Sequence, residues 1–535
     1  MTGDRSSVRT APRLRSREGE GGAGPSVADR ARAELARGRR LLYDGSVDDA
    51  RECLLWAASR LATDDPEQAE AARLSAADAA WAAGDLTACL RTLDGADTAG
   101  SDRLEAMGMP AAPSPVGDAD RPPRPPADHS PRRGWARDAF VRDYIDGMRA
   151  LLARQPERAA EPLRRVQDPV RTGDRPERLL RAASAALLLG DVRAARAAGA
   201  RALAAARSAD SAAFEARALE YLAYGELRAG RHAQARAHAE EGVRAALSAG
   251  HRNTAASHHA MLALAASIEG DTGEVEEHAR AALTMARRHG LAQVATLAEW
   301  AVARADVARG RPLDAADRLG PLVGPGPRRG HFAVWMLAVP CFVEAAVLAG
   351  HPREARTSVT DLARWAAFGA DPHAAAQLAR CRALLAPDDR ADALYLRALA
   401  LHDETGGDFE RARTELLYGR WLRRRRRLRE ARSRLGAALV GFERCGARAW
   451  ADQARGELRA NGAASRTRVD GGLSCLTPQQ LRIARHVAEG ATNREVAQRL
   501  AVSTRTVDYH LRNVFAALGV RSRLELARMV DQEVR

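Results

Sequence analysis

The chain has 535 residues, of which 28% are charged and only 4% aromatic, and its formal net charge is +14. This length allows several domains with separate cores, so disulfide bonds are not needed for stability. All 83 basic residues are arginine. The absence of lysine excludes a P-loop and Schiff-base catalysis, because both depend on a lysine side chain. The basic balance permits a polyanionic partner without identifying one.

The cysteines, the amino-terminal tail and the apolar stretch of the sequence all favour a cytoplasmic protein. The six cysteines are scattered without the spacing of a metal site or redox pair, as expected for buried thiols in a reducing compartment. Residues 1–26 form a basic tail that lacks the apolar core of a secretion signal and is predicted to be disordered. The stretch 332–350 is nearly apolar over the length of a membrane span. Because Pro340 and Glu344 interrupt it, we expect a buried pair of helices there and no membrane contact.

The central part of the chain repeats every 40 residues. In each repeat a glycine ends an Ala- and Leu-rich helical pattern, and a second helical pattern starts within five residues of it. Glycine permits a tight turn between antiparallel helices, and small residues at fixed offsets allow those helices to pack closely. Weaker copies surround Gly45 and Gly84. The glycines of the strong repeats are Gly190, Gly230, Gly270, Gly310 and Gly350.

These repeats resemble tetratricopeptide-type hairpins, although the usual period is about 34, so each hairpin needs additional helical residues. The resemblance implies an all-α helical-hairpin solenoid over 135–462. Further hairpins are predicted over 27–109, and the proline-rich segment 110–134 is predicted to be a flexible insert. Because a solenoid presents a concave surface, we expect a protein or small-molecule effector to bind there.

Four short helical patterns follow the polar linker 463–475 and define a terminal domain over 476–535. Each pattern starts at a residue that can cap a helix. Only "AVS" separates the second pattern from the third, and so short a turn packs the two helices at a steep angle. This is the spacing of a helix–turn–helix motif. The four predicted caps are Thr477, Thr492, Ser503 and Ser522.

The third of these helices, within "VSTRTVDYHLRNVFAALGV" (502–520), has two different sides. In helix–turn–helix proteins this helix enters the DNA major groove with its amino-terminal half. Arginine suits a bidentate contact to guanine, aspartate accepts from cytosine, and a tyrosine ring packs on a thymine methyl. The apolar side consists of Val507, Leu511, Val514 and Leu518. The opposite stripe consists of Arg505, Asp508, Tyr509 and Arg512.

The run "LTPQQLRIARHVAEGATNREVAQRLAVSTRTVDYHLRNVFAALGVRSRLELARMV" resembles the LuxR-type helix–turn–helix family, and "GATNREVA" is among its most specific phrases. Two positions depart from the family pattern: Gln480 stands where glutamate is frequent, and Ala517 stands where lysine is frequent. The absence of that lysine is expected to weaken a contact to the DNA backbone or to lower solubility, without abolishing the fold. The exclusive use of arginine resembles the coding bias of GC-rich bacteria.

The resemblance implies specific roles for residues of the terminal domain. Asp508, Tyr509 and Arg512 are expected to face bases, whereas Thr506, His510 and Arg523 would support the recognition helix or contact phosphate. The last helix is expected to pair two DNA-binding domains. The remaining residues expected at the DNA interface are Thr492, Asn493, Arg494, Ser503, Arg505 and Asn513. The residues expected at the dimer contact are Leu524, Met529 and Val530.

A solenoid followed by a LuxR-type domain resembles the carboxy-terminal half of large ATP-binding LuxR regulators and of MalT-like activators. The resemblance implies a transcriptional regulator that binds promoter DNA as a homodimer and contacts RNA polymerase. No P-loop occurs in this chain, so ATP-gated switching is not expected: either the regulator lacks the ATPase, or the sequence begins downstream of one. Nothing in the sequence resembles a catalytic triad or a paired-carboxylate site, so no cofactor is expected and no enzymatic activity is predicted.

Several other interpretations compete with this one. The terminal helices could form a generic bundle with a solvated polar face, dock a protein, or belong to a sigma factor. The whole chain could then be an interaction scaffold, in which the solenoid is the working part. The arginine run "RWLRRRRRLREAR" is typical of a solvated helix face, with contact to phosphate or an acidic partner as the alternative. The histidines between His232 and His289 have no completing ligand pattern, so no metal site is predicted.

Overall fold

The computed structural model describes residues 26–96, 136–369, 371–461, 473, 476, 478–500, 502–518, 520 and 522–534. These residues contain α-helices, a 3₁₀ position at Leu473 and no β-strand. The predicted all-α fold class is confirmed. The basic tail up to residue 25 and the proline-rich segment 110–134 lie outside the described residues, as do most positions of the predicted linker 463–475.

Two helical hairpins form the amino-terminal part of the described chain. Side chains cap each of their helices at the amino end; for example, Asp85 Oδ1 accepts a hydrogen bond of 2.8 Å from the Ala88 amide. These helices are α1 (Val27–Asp44), α2 (Val47–Leu61), α3 (Pro66–Ala83) and α4 (Leu86–Asp94).

A longer array of helices follows, and most of its members pack antiparallel against the next. Its first half consists of α5 (Ala139–Leu152), α6 (Pro156–Val166), α7 (Pro169–Thr172), α8 (Pro176–Leu188), α9 (Val192–Ser208), α10 (Ala212–Arg228), α11 (His232–Ser248), α12 (Arg252–Glu269) and α13 (Thr272–His289). Its second half consists of α14 (Ala292–Ala308), α15 (Pro312–Val323), α16 (Trp335–Leu348), α17 (Pro352–Phe368), α18 (Ala374–Leu385), α19 (Asp388–Thr405), α20 (Asp408–Arg424), α21 (Leu428–Arg444) and α22 (Arg448–Ala460).

The 40-residue period has a direct structural origin. Helices α9, α10 and α11 each contain 17 residues, and three residues separate each from the next, so two helices and two turns fill one period. The glycines of the strong repeats lie in these turns with φ between +73° and +92°, a region that costs other residues energy. Gly84 has the same conformation, but Gly45 is extended with φ of −171°, so the weak copy around Gly45 uses a different turn.

The amino-terminal hairpins fold back onto the middle of the array instead of simply extending it. The Asn253 side chain of α12 donates to the Leu42 carbonyl (2.9 Å) and the Gly45 carbonyl (3.0 Å), at the end of α1. On α3, Trp81 Nε1 donates to Gln293 Oε1 of α14 over 3.0 Å. The sequence repeat predicts only contacts between neighbouring hairpins, so these long-range contacts were not anticipated.

The apolar stretch 332–350 forms one helix, α16, and the prediction of a helix pair was wrong. Pro340 lies within this helix, where it removes a single backbone hydrogen bond, and burial of the surrounding side chains outweighs that loss. Glu344 is 1% exposed and forms an ion pair with Arg413 of α20. Among the described helices, none is long and apolar enough to cross a bilayer.

A charged network is buried where α16, α18 and α20 meet. The Arg413 side chain, 1% exposed, pairs with Glu344 and, over 3.2 Å, with Glu410; Arg380 pairs with Glu410 over 2.7 Å. Burial by itself would raise the pKa of Glu410, but the charges of Arg380 and Arg413 outweigh it and lower that pKa. Arg413 also lies 4.8 Å from the ring centre of Trp450. Charge pairing therefore holds this part of the solenoid together as well as apolar packing.

Candidate nucleic-acid interface

The terminal domain has its own hydrophobic core, built from four helices. These are α23 (Pro478–Ala488), α24 (Asn493–Arg499), α25 (Thr504–Leu518) and α26 (Arg523–Val534). The apolar side predicted for α25 is confirmed: Val507, Leu511 and Val514 are at most 5% exposed, and Leu518 packs against them. Leu473, assigned from sequence to the linker, is also buried in this core, so the packed domain includes residues before 476.

Caps fix where α24 and α25 begin and therefore how they are joined. The Thr492 hydroxyl accepts from the Glu495 amide (3.3 Å), and the Glu495 carboxylate accepts from the Thr492 amide (2.7 Å), which completes the predicted capping box. The Thr492 amide and hydroxyl also lower the pKa of Glu495. Ser503 caps α25 through the Thr506 amide at 3.1 Å. Only residues 500–503 connect the two helices, as in a helix–turn–helix motif.

The polar side of α25 is exposed along its length. Asp508 and Arg512 are exposed, and the Tyr509 side chain is 61% exposed, an unusual environment for an aromatic ring. The backbone of Arg505 belongs to α25, but its side chain lies outside the described residues. Arg512 forms no ion pair with any described residue, so its guanidinium is available to an external acceptor. Three of the four residues of the predicted stripe, Asp508, Tyr509 and Arg512, thus form an exposed surface.

A hydrogen-bonded network beside this surface joins α24, α25 and the start of α26. Asn493, at the start of α24, donates to the Asp508 carboxylate on α25 and accepts from Arg523 Nη1 over 2.9 Å. Arg523 Nη2 also donates to the Ala491 carbonyl over 2.5 Å. Arg523 is therefore linked to α25 through Asn493, and the roles expected for it toward DNA stay predictions. Helical periodicity in the sequence could not predict this hydrogen-bonded network, because its members lie 15 and 30 residues apart.

Other predicted interface residues occupy less exposed positions. Thr506 and Asn513 are half-buried on α25, and the Ser503 and Thr506 hydroxyls are 2.7 Å apart. The His510 ring meets the Tyr509 ring edge-on with 5.5 Å between their centres, and His510 Nδ1 has no hydrogen-bond partner among the described residues. Arg494 is exposed at the first turn of α24 and forms no ion pair with a described residue.

The three residues predicted at the dimer contact differ in exposure. Leu524 is 63% exposed, Met529 is partly buried against the domain core, and Val530 is only 7% exposed within that core. Leu524 is therefore the member of this set that offers an apolar side chain to a partner. The predicted cap of α23 at Thr477 lies outside the described residues, whereas Ser522 caps α26 through the Glu525 amide at 3.2 Å.

The solenoid supplies no comparable polar interface at the positions considered from sequence. In the arginine run, Arg420 and Arg423 pair with Glu457, and Arg427 pairs with Asp392, so much of this charge is neutralised within the protein. The histidine rings form separate contacts. His258 Nε2 is hydrogen-bonded to the Ala216 carbonyl, and the Nδ1 atoms of His259 and His278 are 3.1 Å apart. The described residues contain no group of three or more His, Cys, Asp or Glu side chains that could hold a metal.

Comparison with known proteins places the terminal domain in a family. Residues 474–530 match the family model described as bacterial regulatory proteins, luxR family. A protein of Mycobacterium tuberculosis named as an HTH-type transcriptional regulator is 42% identical over 100 residues, which cover 19% of this chain and 10% of that protein. The HTH-type transcriptional regulator AlkS of Alcanivorax borkumensis is 34% identical over 68 residues, covering 13% and 8%. The chain thus matches about a tenth or less of the length of these relatives.

Matches of this chain to solved structures have low structural similarity. A Rap protein complexed with competence and sporulation factor aligns with 81% of this chain and 98% of its own, at 11% identity and a TM-score of 0.33. So low a score does not establish a common fold, and the architecture of the array rests on its own helices. The family match, the capped helix pair and the exposed polar side of α25 all concern the terminal residues. The carboxy-terminal domain of this chain is a LuxR-type helix–turn–helix domain.

Proposed function

We propose that this protein is a sequence-specific DNA-binding transcriptional regulator. The observation that supports it most strongly is the exposed polar side of α25, which lies opposite the buried side of the second helix of a LuxR-type helix–turn–helix pair. That arrangement presents hydrogen-bonding side chains to a major groove while the domain core remains closed. The matched relatives in Mycobacterium and Alcanivorax carry the names of transcriptional regulators, which agrees with this function.

In the proposed complex the amino-terminal half of α25 lies in the major groove. Arg512 donates to guanine, Asp508 accepts from cytosine or orders Asn493, and Tyr509 packs against a thymine methyl. Thr506 and His510 support these side chains or contact the sugar–phosphate backbone, as do Thr492, Asn493, Arg494, Ser503, Arg505 and Asn513. The terminal domain has ten arginines against six carboxylates over 476–535, a net charge of +4 that favours a phosphate backbone.

The remaining parts of the proposal concern assembly and control. Two chains bind a two-fold symmetric site and pair through α26, where Leu524 is the exposed apolar residue. The solenoid receives a signal that exposes, orients or dimerises the terminal domain, and the DNA-bound protein then contacts RNA polymerase. Because its target is promoter DNA, the protein acts in the bacterial cytoplasm.

Selection of duplexes from a randomised library by the full-length protein tests this function. We expect an enriched, two-fold symmetric motif that the Arg512→Ala variant does not enrich. A matched control is Arg482→Ala, which removes one exposed arginine from α23 and should enrich the same motif as the wild type. If neither the full-length protein nor residues 471–535, which contain the domain's own core, enrich a motif, the terminal domain does not read DNA, and a protein-docking role takes its place.

A further inference from the structure

A large cavity lies inside the solenoid, where the amino-terminal hairpins meet the middle repeats. Its volume is about 910 Å³, which falls within the range typical of small-molecule sites. Helices far apart in sequence contribute to its wall, among them α1, α3, α5, α8, α10, α12 and α16. The cavity therefore exists only because the first hairpins fold back onto the array, and no single repeat could form it.

Tyrosines are concentrated in the wall of this cavity. Tyr43, Tyr144, Tyr221 and Tyr224 line it, and they are four of the seven tyrosines in the chain. Burial raises the pKa of Tyr221 to about 12, so its hydroxyl remains a neutral hydrogen-bonding group at physiological pH. Rings supply a large apolar surface with little conformational freedom to lose, so the wall suits a ligand with a flat apolar body.

Tryptophans add to the same wall, although the chain as a whole is poor in aromatic residues. Trp81, Trp335 and Trp365 line the cavity, and they are three of the eight tryptophans in the chain. Trp81 is held in place by its hydrogen bond to Gln293 and by edge contact with Phe332, whose ring centre is 5.0 Å away. The aromatic surface is therefore ordered by its own contacts before any ligand enters.

Guanidinium groups lie against several of these rings. Arg181 is 4.8 Å from the ring centre of Tyr144, and Arg217 is 5.5 Å from that of Tyr221. Stacking on a ring leaves the edge of a guanidinium, with its N–H donors, directed away from the ring.

The charges in the wall do not cancel. Six arginines and three carboxylates line the cavity. Arg228 pairs over 3.4 Å with Asp371, which lies outside the lining, so the other five arginines exceed the lining carboxylates by two. Only one N–H group of the Arg217 guanidinium is hydrogen-bonded to a described residue. Its Nη1 donates to Glu220 over 2.7 Å. Its side chain is 26% exposed, which in this position means exposed to the cavity. Arg217 therefore has N–H donors available to a negatively charged group of a ligand.

We infer that the cavity binds an aromatic organic anion, with the ring against the tyrosines and the negative group on Arg217. Ligand binding itself is argued from the cavity alone, whereas the ligand's action as the effector rests on the function proposed above. A bound ring would join α1, α3 and α10, and so would stabilise the fold-back of the first hairpins onto the array. In this way a small molecule could alter the shape of the solenoid that precedes the DNA-binding domain.

Fluorescence titration of the full-length protein with anilinonaphthalene sulfonate, an aromatic anion, tests the inference. Its uncharged analogue N-phenylnaphthylamine serves as the matched probe. We expect one saturable site for the anion and binding of the analogue that is about tenfold weaker or more, the loss of roughly one charge-assisted hydrogen bond. Equal binding of the two probes, or no saturable site, would overturn the inference. Because no DNA is present, neither result depends on the proposed function.

Paired charge variants separate ligand contact from damage to the fold. Arg217→Gln should weaken binding of the anion about tenfold, whereas Glu220→Gln should preserve or strengthen it because it removes a negative charge from the same pair. Ser184→Trp, which adds a large ring at a half-buried lining position, should weaken binding of the anion, and Arg207→Gln on α9 outside the cavity lining should leave it unchanged. Equal weakening by Arg217→Gln and Glu220→Gln would show a structural effect and contradict a direct contact.

Discussion

Arginines in the solenoid and in the terminal domain have different environments. In the solenoid, Arg380 and Arg413 are at most 1% exposed and are paired with carboxylates. In the terminal domain, Arg494 and Arg512 are exposed and form no ion pair with a described residue. A buried, paired arginine stabilises the chain that contains it, whereas an exposed, unpaired one is available to phosphate or base acceptors. The net charge of +14 therefore says little about DNA binding until each arginine has been placed.

The largest effect is expected from the buried pair in the solenoid. The Arg413→Met variant keeps most of the side-chain volume but leaves Glu344, which is 1% exposed, without its charged partner. We expect the free energy of unfolding to fall by about 3–5 kcal/mol. Urea unfolding followed by tryptophan fluorescence measures this in the solenoid, because all eight tryptophans precede residue 451.

An exposed arginine provides the control for this variant. Arg425 pairs with Asp388 at the surface, with about half of each side chain exposed. Arg425→Met should change the free energy of unfolding by no more than about 0.5 kcal/mol. If the two variants were equally stable, the distinction between buried and exposed arginines would fail.

Acidification should destabilise the solenoid through buried histidines. Burial lowers the pKa of His331 from 6.5 to about 4 and that of His402 to about 3. Between pH 6.5 and pH 4 the unfolded chain therefore binds protons that the folded chain does not, so stability is full above pH 6.5 and decreases as the pH falls. Each histidine contributes up to about 1.4 kcal/mol per pH unit, and less near pH 6.5, where the unfolded histidine is only half protonated, so these two account for about 2 kcal/mol between pH 6.5 and 5.5.

Urea unfolding at a series of pH values between 7.5 and 5 measures this dependence. The His402→Gln variant should have a shallower slope than the wild type, since one of the histidines whose pKa is lowered by burial is gone. A wild-type stability that does not change over this range would contradict the burial of neutral histidines.

A smaller effect on stability is expected from the hydrogen-bonded network of Asn493, Asp508 and Arg523. Asn493→Ala removes the side chain that links Asp508 to Arg523. We expect a loss of about 1 kcal/mol in local stability, because hydrogen bonds of this kind contribute about that much, and weaker specific binding because Asp508 is no longer positioned. Hydrogen exchange of α24 and α25, together with duplex affinity, measures the two effects; Gln498→Ala, exposed on the same helix, should affect neither.

The smallest effect on stability is expected at Leu524. Because this side chain is 63% exposed, Leu524→Ser should change the free energy of unfolding by less than about 0.5 kcal/mol. It should nevertheless reduce cooperative binding of two chains to a two-fold symmetric duplex, which sedimentation on that duplex measures. Unchanged cooperativity would exclude Leu524 from the dimer contact.

Local features of the fold could be read from the sequence because they depend on neighbouring residues. The turn glycines, the caps at Thr492 and Ser503, and the buried side of α25 each follow from a short pattern of residue types. Helical periodicity also separates Asp508 from Val507, so that one is exposed and the other buried on the same helix. The roles of the exposed residues toward DNA stay predictions until binding is measured.

Long-range features could not be read in the same way. The fold-back that joins Asn253 to the Gly45 turn spans 208 residues, and no local sequence pattern at either end predicts contact with the other. The cavity with Arg217 depends on this fold-back, so it too was hidden from sequence. Within the terminal domain, the role of Arg523 depends on Asn493, which lies 30 residues earlier. Such contacts are decided by packing and leave no local periodicity.

The most direct test of the central claim compares the affinity of the full-length protein for the selected duplex and for a scrambled one, by fluorescence anisotropy at several salt concentrations. The account predicts tighter binding to the selected duplex, a preference that Arg512→Ala reduces by about 1–3 kcal/mol, and steep weakening of both with salt. Equal affinity for the two duplexes, or an Arg512→Ala variant that retains the full preference, would contradict DNA reading by α25.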